Sequence, residues 1–152
     1  AGELPVYIFK SQDATLHGFE AQVNWNINDE FSSSFFADYV RARLKNGGDL
    51  PRIPPLRFGT NFRYQLESFS AHLDITRYQE QDKVANLETS TSGYTLVDLG
   101  VSYQLPLLDH DITFYATAKN LTDEYAKVHS SFVKDIAPRQ GRSLAVGLRA
   151  YF

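Results

Sequence analysis

The side chains of this chain that could do acid–base or metal chemistry are histidines and carboxylates, because the sequence contains no cysteine. Without cysteine there is no thiolate nucleophile, no disulfide framework and no thiolate zinc site. The four histidines lie on different segments, and none belongs to an HExxH-type spacing; they are His17, His72, His110 and His129. The sequence therefore predicts no catalytic constellation, and we expect a protein that is not an enzyme and has no intrinsic cofactor.

Imidazole and carboxylate groups can hold a borderline metal ion such as zinc without thiolates. Three such residues border polar segments that we interpret as loops at one end of the fold: His17, His129 and Asp135. We take them as candidate metal ligands. The alternative is that His129 and Asp135 merely order their loop by hydrogen bonds, and the residues themselves leave both interpretations open.

Charge and hydropathy exclude two classes of protein. Fifteen basic against eighteen acidic residues give a net charge of −3, which argues against a nucleic-acid partner. No run approaches the ~18 apolar residues that a transmembrane helix needs. Transmembrane β-strands remain compatible with the composition, since their alternating apolar and polar residues average to a soluble-looking hydropathy.

The hydrophobic pattern has a period of two along most of the chain, and no segment reads as a helix. In the last segment Leu144, Val146 and Leu148 alternate with Ala145, Gly147 and Arg149, as in a strand that is wet on one face. Eight such strands are predicted, over residues 4–10, 18–27, 31–44, 57–66, 69–76, 97–105, 112–119 and 143–152. Most exceed the ~5–6 residues of soluble sheets and suit tilted strands that cross a bilayer.

The predicted connections alternate between short and long. Residues 28–30, 67–68 and 107–111 form short turns, whereas 45–55, 81–93 and 130–141 form longer polar loops, and 11–14 adds a shorter polar connection on that side. Short turns on one rim and long loops on the other are typical of an outer-membrane barrel. We therefore expect an all-β, antiparallel up-and-down transmembrane barrel.

The aromatic residues fit this interpretation, since two aromatic belts that flank an aliphatic band are typical of such barrels. Near the short-turn rim we place Trp25, Phe31, Tyr64, Phe69 and Tyr103, and toward the long-loop rim Phe19, Tyr78 and Tyr125. A soluble β-sandwich with aromatics scattered through its core is the alternative.

Several short motifs occur in a fixed order from about residue 15 to the end. Near the C-terminus they include Asn120, Leu121, Asp123 and Tyr125 of an NL-x-D-type element, which we place on the penultimate strand, then Pro138, Gly141 and Arg142 of a P-x-x-GR element, and the terminal Phe152. Earlier come Gly18-Phe19-Glu20, Ile53-Pro54-Pro55-Leu56-Arg57 and Tyr94-Thr95-Leu96-Val97-Asp98. The ordered set resembles the C-terminal barrel of TonB-dependent outer-membrane receptors.

This resemblance implies a barrel of about 22 strands with a plug domain in its lumen. The whole chain, 1–152, then looks like the C-terminal part of such a barrel, without the plug and the N-terminal strands. Implied partners are outer-membrane lipid, the TonB system through the absent plug, and the barrel-assembly machinery through Phe152, in the bacterial outer membrane. Dispersed charged side chains on the polar face suit a wide, water-filled lumen that faces a plug, although some of them could pair in a narrow barrel; these are Glu20, Arg57, Arg63, Asp74, Asp98, Lys119 and Arg149.

The last loop adds a finer resemblance. The run that contains His129, Ser131, Phe132, Asp135, Pro138, Gly141 and Arg142 is similar to receptors of the zinc-uptake (ZnuD-like) group. The implied function is TonB-energised uptake of a metal or metal complex, with zinc favoured over haem or a siderophore. A stand-alone eight-stranded barrel with a passive or structural role is the alternative, and a soluble β-rich binding module is a third.

Overall fold

The computed structural model describes residues 11–107 and 110–151, which form seven strands in one sheet. The strands are β1 (Ala14–Asn26), β2 (Phe31–Leu44), β3 (Arg57–Leu66), β4 (Phe69–Tyr78), β5 (Tyr94–Leu107), β6 (His110–Lys119) and β7 (Ser143–Tyr151). Their order in the sheet is the order in the chain, and each neighbouring pair is antiparallel. The predicted all-β, up-and-down architecture is confirmed. The predicted strand over 4–10 and the residue Phe152 lie outside the described residues.

The register places apolar and polar residues on opposite faces of the sheet, because successive side chains of a strand point to opposite sides. One cross-strand row of the outer face contains Val23, Phe35, Thr60, Ile75 and Val97. The adjacent row of the inner face contains Asn24, Ser34, Asn61, Asp74 and Asp98. In the part of the chain described here, no helix is long and apolar enough to cross a membrane.

Aromatic rings lie on the outer face near both rims. Toward the short turns, the rings of Tyr64 and Phe69 are 6.2 Å apart, and toward the long loops the rings of Phe19 and Tyr39 are 6.1 Å apart. Tyr78 lies at the long-loop rim as predicted, but it faces inward. Its ring stacks on Tyr94 at 4.6 Å, so it does not belong to the outer belt.

Three glycines of the inner face each lie beneath a ring of the neighbouring strand. Gly59 is paired with Phe36, Gly100 with His72, and Gly147 with Tyr115. A Cβ atom on Gly100 would lie 2.2 Å from the His72 ring, and one on Gly147 would lie 2.3 Å from the Tyr115 ring. The missing side chain therefore leaves the space over the glycine that the ring occupies.

Several predicted boundaries differ from the structure, since β1 begins at Ala14 rather than at residue 18, β4 ends at Tyr78 rather than at residue 76, and β5 begins at Tyr94 rather than at residue 97. Leu107 pairs with His110, so the strands continue through most of the segment that was predicted as a turn over 107–111. The prediction that the NL-x-D element lies on the penultimate strand is wrong: β6 ends at Lys119, and Asn120 has a φ of 50°. This left-handed conformation, which asparagine tolerates better than most residues, turns the chain out of the sheet.

Candidate functional site

The three long loops lie at one end of the sheet, over residues 45–56, 79–93 and 120–142. The third of these, the β6–β7 loop, folds back onto the inner face. Ala126 is fully buried there in a small core with Tyr94 and Leu96, and Tyr78 packs against this core. The loop therefore covers the inner face of β4 and β5 at the long-loop end.

Residues of the NL-x-D and P-x-x-GR elements connect the two ends of the β6–β7 loop by hydrogen bonds. The Asn120 side chain is buried; its amide nitrogen donates to the Glu124 carbonyl at 2.9 Å, and its amide oxygen accepts the Glu124 N–H at 2.9 Å. An Asp123 carboxylate oxygen accepts the N–H of Arg142 at 2.8 Å, where Gly141 leaves room for it. The two ends of the loop are thus tied together, and the motif that carries the sequence resemblance has a structural role here.

A second motif meets the first near the start of β5. An Asp98 carboxylate oxygen accepts the Asn120 N–H at 2.8 Å, and the Val97 carbonyl accepts the Leu121 N–H at 2.9 Å. The Y-x-x-x-D and NL-x-D elements are therefore two sides of one joint between β5 and the β6–β7 loop.

Between the β4–β5 and β6–β7 loops lies a buried polar group that we call the Glu88 cluster, formed by Glu88, Thr91, His129 and Lys134. His129 Nε2 lies 3.3 Å from Glu88 Oε1, and His129 Nδ1 lies 2.9 Å from the Thr91 hydroxyl. Lys134 Nζ lies 3.5 Å from Glu88 Oε1 and donates to the Thr89 carbonyl at 2.5 Å. The cluster joins the two loops through charged and hydrogen-bonded groups.

Burial, followed by the positive charge of Lys134, lowers the pKa of His129 below its usual 6.5. Burial acts to raise the pKa of Glu88, but backbone N–H donors from Ala85 and Arg52, with His129 and Lys134 nearby, outweigh it and lower that pKa below 4.5. At neutral pH the cluster therefore contains a neutral imidazole and an ionised carboxylate.

Asp135 lies in the same loop as His129 but has other partners. Its carboxylate accepts a hydrogen bond from the Thr89 hydroxyl at 2.8 Å and one from Lys127 Nζ at 3.1 Å. Hydrogen bonds from Thr89 and then Lys127 lower the pKa of Asp135. Asp135 is therefore another contact between the β4–β5 and β6–β7 loops.

A cavity of about 340 Å³ opens among all three loops. Its lining includes Pro51, Arg52, Leu87, Glu88, Phe132 and Asp135. The Arg52 guanidinium lies over the Phe132 ring, 3.5 Å from its centroid. Cationic, anionic and apolar groups thus surround one cavity at the rim, as a site for a polar ligand with apolar parts would require.

The three predicted metal ligands do not meet. His17 lies on β1 opposite Arg41, on the same face as Phe19 and thus on the outer face. His129 and Asp135 share a loop, but they contact different groups. Over residues 11–107 and 110–151, no group of three or more His, Cys, Asp or Glu side chains could hold a metal ion.

Sequence reasoning missed the partners of His129. Glu88 was visible as one of several acidic residues near a polar loop, and Lys134 as one basic residue in another. Nothing in either segment indicates that the two loops meet, because the contact depends on how β4–β5 and β6–β7 fold over the sheet.

Several of the charged residues predicted for the lumen have polar partners. Asp98 accepts the Asn120 N–H, as described above, and Arg63 Nε donates to the Asn61 side chain at 2.8 Å. Arg57 on β3 pairs with Asp38 on β2 at 2.8 Å, and Asp74 on β4 accepts a hydrogen bond from the Asn61 side chain on β3. The Arg57–Asp38 pair neutralises charge across two strands, and the Asn61–Asp74 hydrogen bond satisfies a carboxylate on the same polar face.

Comparison with known proteins adds two findings. Residues 3–121 match the family model described as TonB dependent receptor-like, beta-barrel. Among solved structures, the chain is similar to one described as "Copper transporter OprC", with 18% sequence identity and a TM-score of 0.80. The match covers 92% of this chain and 23% of that one, so the chain spans about a quarter of that transporter's length. At this identity the likeness concerns the fold.

Proposed function

Since the chain belongs to the TonB-dependent receptor β-barrel family, we propose that it is the C-terminal barrel portion of an outer-membrane receptor that takes up a metal or metal complex with energy from the TonB system. The plug and the N-terminal strands would come from the rest of the receptor. Proteins of this family are transporters, and we assign the chain no catalytic role.

The observation that carries this proposal is the cavity among the three long loops. It lies at the rim where a ligand would arrive, and it is lined by Arg52, Phe132, Glu88 and Asp135. Ionic and apolar groups in one cavity suit a chelated metal better than a bare ion, because a bare ion needs several donors that converge on one point.

Zinc is the finer candidate for the cargo, favoured by the resemblance of the last loop to zinc-uptake receptors, and the similarity to a structure described as a copper transporter supports a metal cargo of some kind. Haem and siderophores are the candidate complexes. If a bare ion is the cargo, we propose that His17, His129 or Asp135 binds it together with donors from the rest of the receptor.

Calorimetric titration of the full-length receptor tests the proposal, with Zn²⁺, Cu²⁺, haem and a ferric siderophore as separate probes. We expect one of these to bind saturably. Saturable Zn²⁺ binding that weakens about tenfold or more in His129→Gln would support the ligand assignment, with His72→Gln as a matched histidine control on β4. No binding of any probe would contradict metal uptake, and Zn²⁺ binding unchanged in His17→Gln, His129→Gln and Asp135→Asn would remove the site assignment.

The final residue belongs to the same proposal. We propose that Phe152 is recognised by the barrel-assembly machinery, and a lower outer-membrane yield of the full-length Phe152→Ser variant would support this. The alternative of a stand-alone eight-stranded barrel gains no support from a sheet whose fold matches 23% of a longer transporter.

A further inference from the structure

Glu88 contacts all three long loops through one carboxylate. Its Oε1 accepts the N–H of Arg52 from the β2–β3 loop at 2.9 Å, and His129 and Lys134 of the β6–β7 loop approach the same oxygen at 3.3 and 3.5 Å. Its Oε2 accepts the N–H of Ala85, in its own loop, at 3.0 Å. A carboxylate offers about four acceptor positions, and here they are shared among the three loops.

Further contacts join each pair of loops directly. Gln81 of the β4–β5 loop donates to the Ile53 carbonyl of the β2–β3 loop at 2.9 Å. Thr89 of the β4–β5 loop contacts the β6–β7 loop through Lys134 and Asp135. Arg52 of the β2–β3 loop lies on Phe132 of the β6–β7 loop. The Glu88 cluster is thus the centre of a closed set of contacts.

Burial makes these contacts depend on one another. The side chains of Glu88, His129 and Lys134 are 10%, 1% and 7% exposed. If one loop moved away alone, a buried carboxylate or a buried ammonium would lose its partner. Leaving a buried charge unpaired is far more destabilising than breaking an exposed ion pair. If all three loops move together as one body, these contacts stay intact and no buried charge loses its partner.

We propose that Glu88 joins the three long loops into a single body that opens and closes as a unit over the inner face of β4 and β5. The β6–β7 loop already covers that face through Ala126, Tyr94 and Leu96, so opening the body would uncover it. The control of ligand access by this body rests on the proposed function, whereas the coupling of the loops rests on their contacts alone.

Hydrogen–deuterium exchange on the full-length receptor tests the coupling. In Glu88→Ala we expect exchange to rise about tenfold in all three loops, 45–56, 79–93 and 120–142, while β3, β4 and β5 keep their protection. Glu80→Gln is the matched control, since Glu80 lies in the same loop and is exposed; it should leave all three loops unchanged. Faster exchange confined to 79–93 would overturn the proposal.

Spin labels give a second measurement that does not depend on exchange chemistry. The side chains of Leu87 and Ile136 are 97% and 84% exposed and lie on two different loops, so a label at each position disturbs little. We expect one narrow distance distribution with Glu88 present and a broad one in Glu88→Ala; an unchanged narrow distribution would contradict the coupling.

Coupled loops in a receptor that binds no metal would refute the proposed function, and metal binding with independent loops would refute this inference.

Discussion

Histidine often binds metal ions, but the contacts of His129 are those of a side chain that holds two loops together by hydrogen bonds. Both ring nitrogens have neighbours, Glu88 on one side and Thr91 on the other. Lys134 Nζ also lies 3.5 Å from Nδ1, and its charge opposes a metal cation there. A metal ion at His129 would have to displace Glu88 or Thr91, which is why the titration of His129→Gln is informative.

At this scale the structure predicts a pH dependence of loop protection. The pKa of His129 is lowered in the folded loops, so its neutral form contributes stability that is complete above the unfolded pKa of about 6.5 and is lost as the pH falls below it. Glu88 and Asp135, whose negative charges act on His129, have lowered carboxyl pKa values and stay ionised in this range. We expect exchange in the loops, corrected for its intrinsic rate, to rise between pH 7 and 5.5.

His129→Gln is the control for that prediction. Glutamine can keep a hydrogen bond in the cluster but has no proton to gain, so loop exchange in this variant should be flat over the same pH range. An equal pH dependence in the variant would show that another group is responsible.

At the scale of the strands, the inner face contains three rings, each of which lies over a glycine of the neighbouring strand. His72 lies over Gly100 and is 3.8 Å from the Asp74 carboxylate. Each pair is directly opposite across two neighbouring strands, so the pairing register fixes which ring meets which glycine.

Gly100→Ala tests the role of these pairs. The added Cβ would lie 2.2 Å from the His72 ring, so the ring must move. Because the His72 side chain is about half exposed, it can turn away at the cost of a strained rotamer, and we expect the free energy of unfolding of the full-length receptor in urea to fall by about 0.5–1.5 kcal/mol. The double variant His72→Ala/Gly100→Ala removes the clash and should recover most of that loss. A double variant no more stable than Gly100→Ala would contradict the explanation.

At the scale of the whole molecule, seven strands form one open sheet with an apolar outer face. Over the described residues β1 and β7 are the edge strands, and unpaired strand edges are costly in lipid. This sheet therefore needs the remaining strands of the receptor barrel, or another copy of itself, to satisfy its edges.

Substitution in the middle of β7 tests which face meets lipid. Val146 is 84% exposed on the outer face, so Val146→Arg should cost the full-length barrel about 2–4 kcal/mol when it folds into lipid vesicles. Ala145→Arg, one residue earlier and facing inward, is the matched control and should cost much less. Equal losses for the two variants would show that the assignment of the faces is wrong.

The sequence by itself determined the strands, their faces and the family, because a period of two is local and is repeated in every segment. The ordered motifs, among them Asn120 and Asp123, are also visible in the sequence, although it could not tell that β6 ends at Lys119 and that the chain leaves the sheet at Asn120. The Glu88 cluster was decided by the tertiary structure alone. Its members are separated by up to 46 residues along the chain, from Glu88 to Lys134, and they meet because the sheet register and the inward fold of the β6–β7 loop bring two distant loops together.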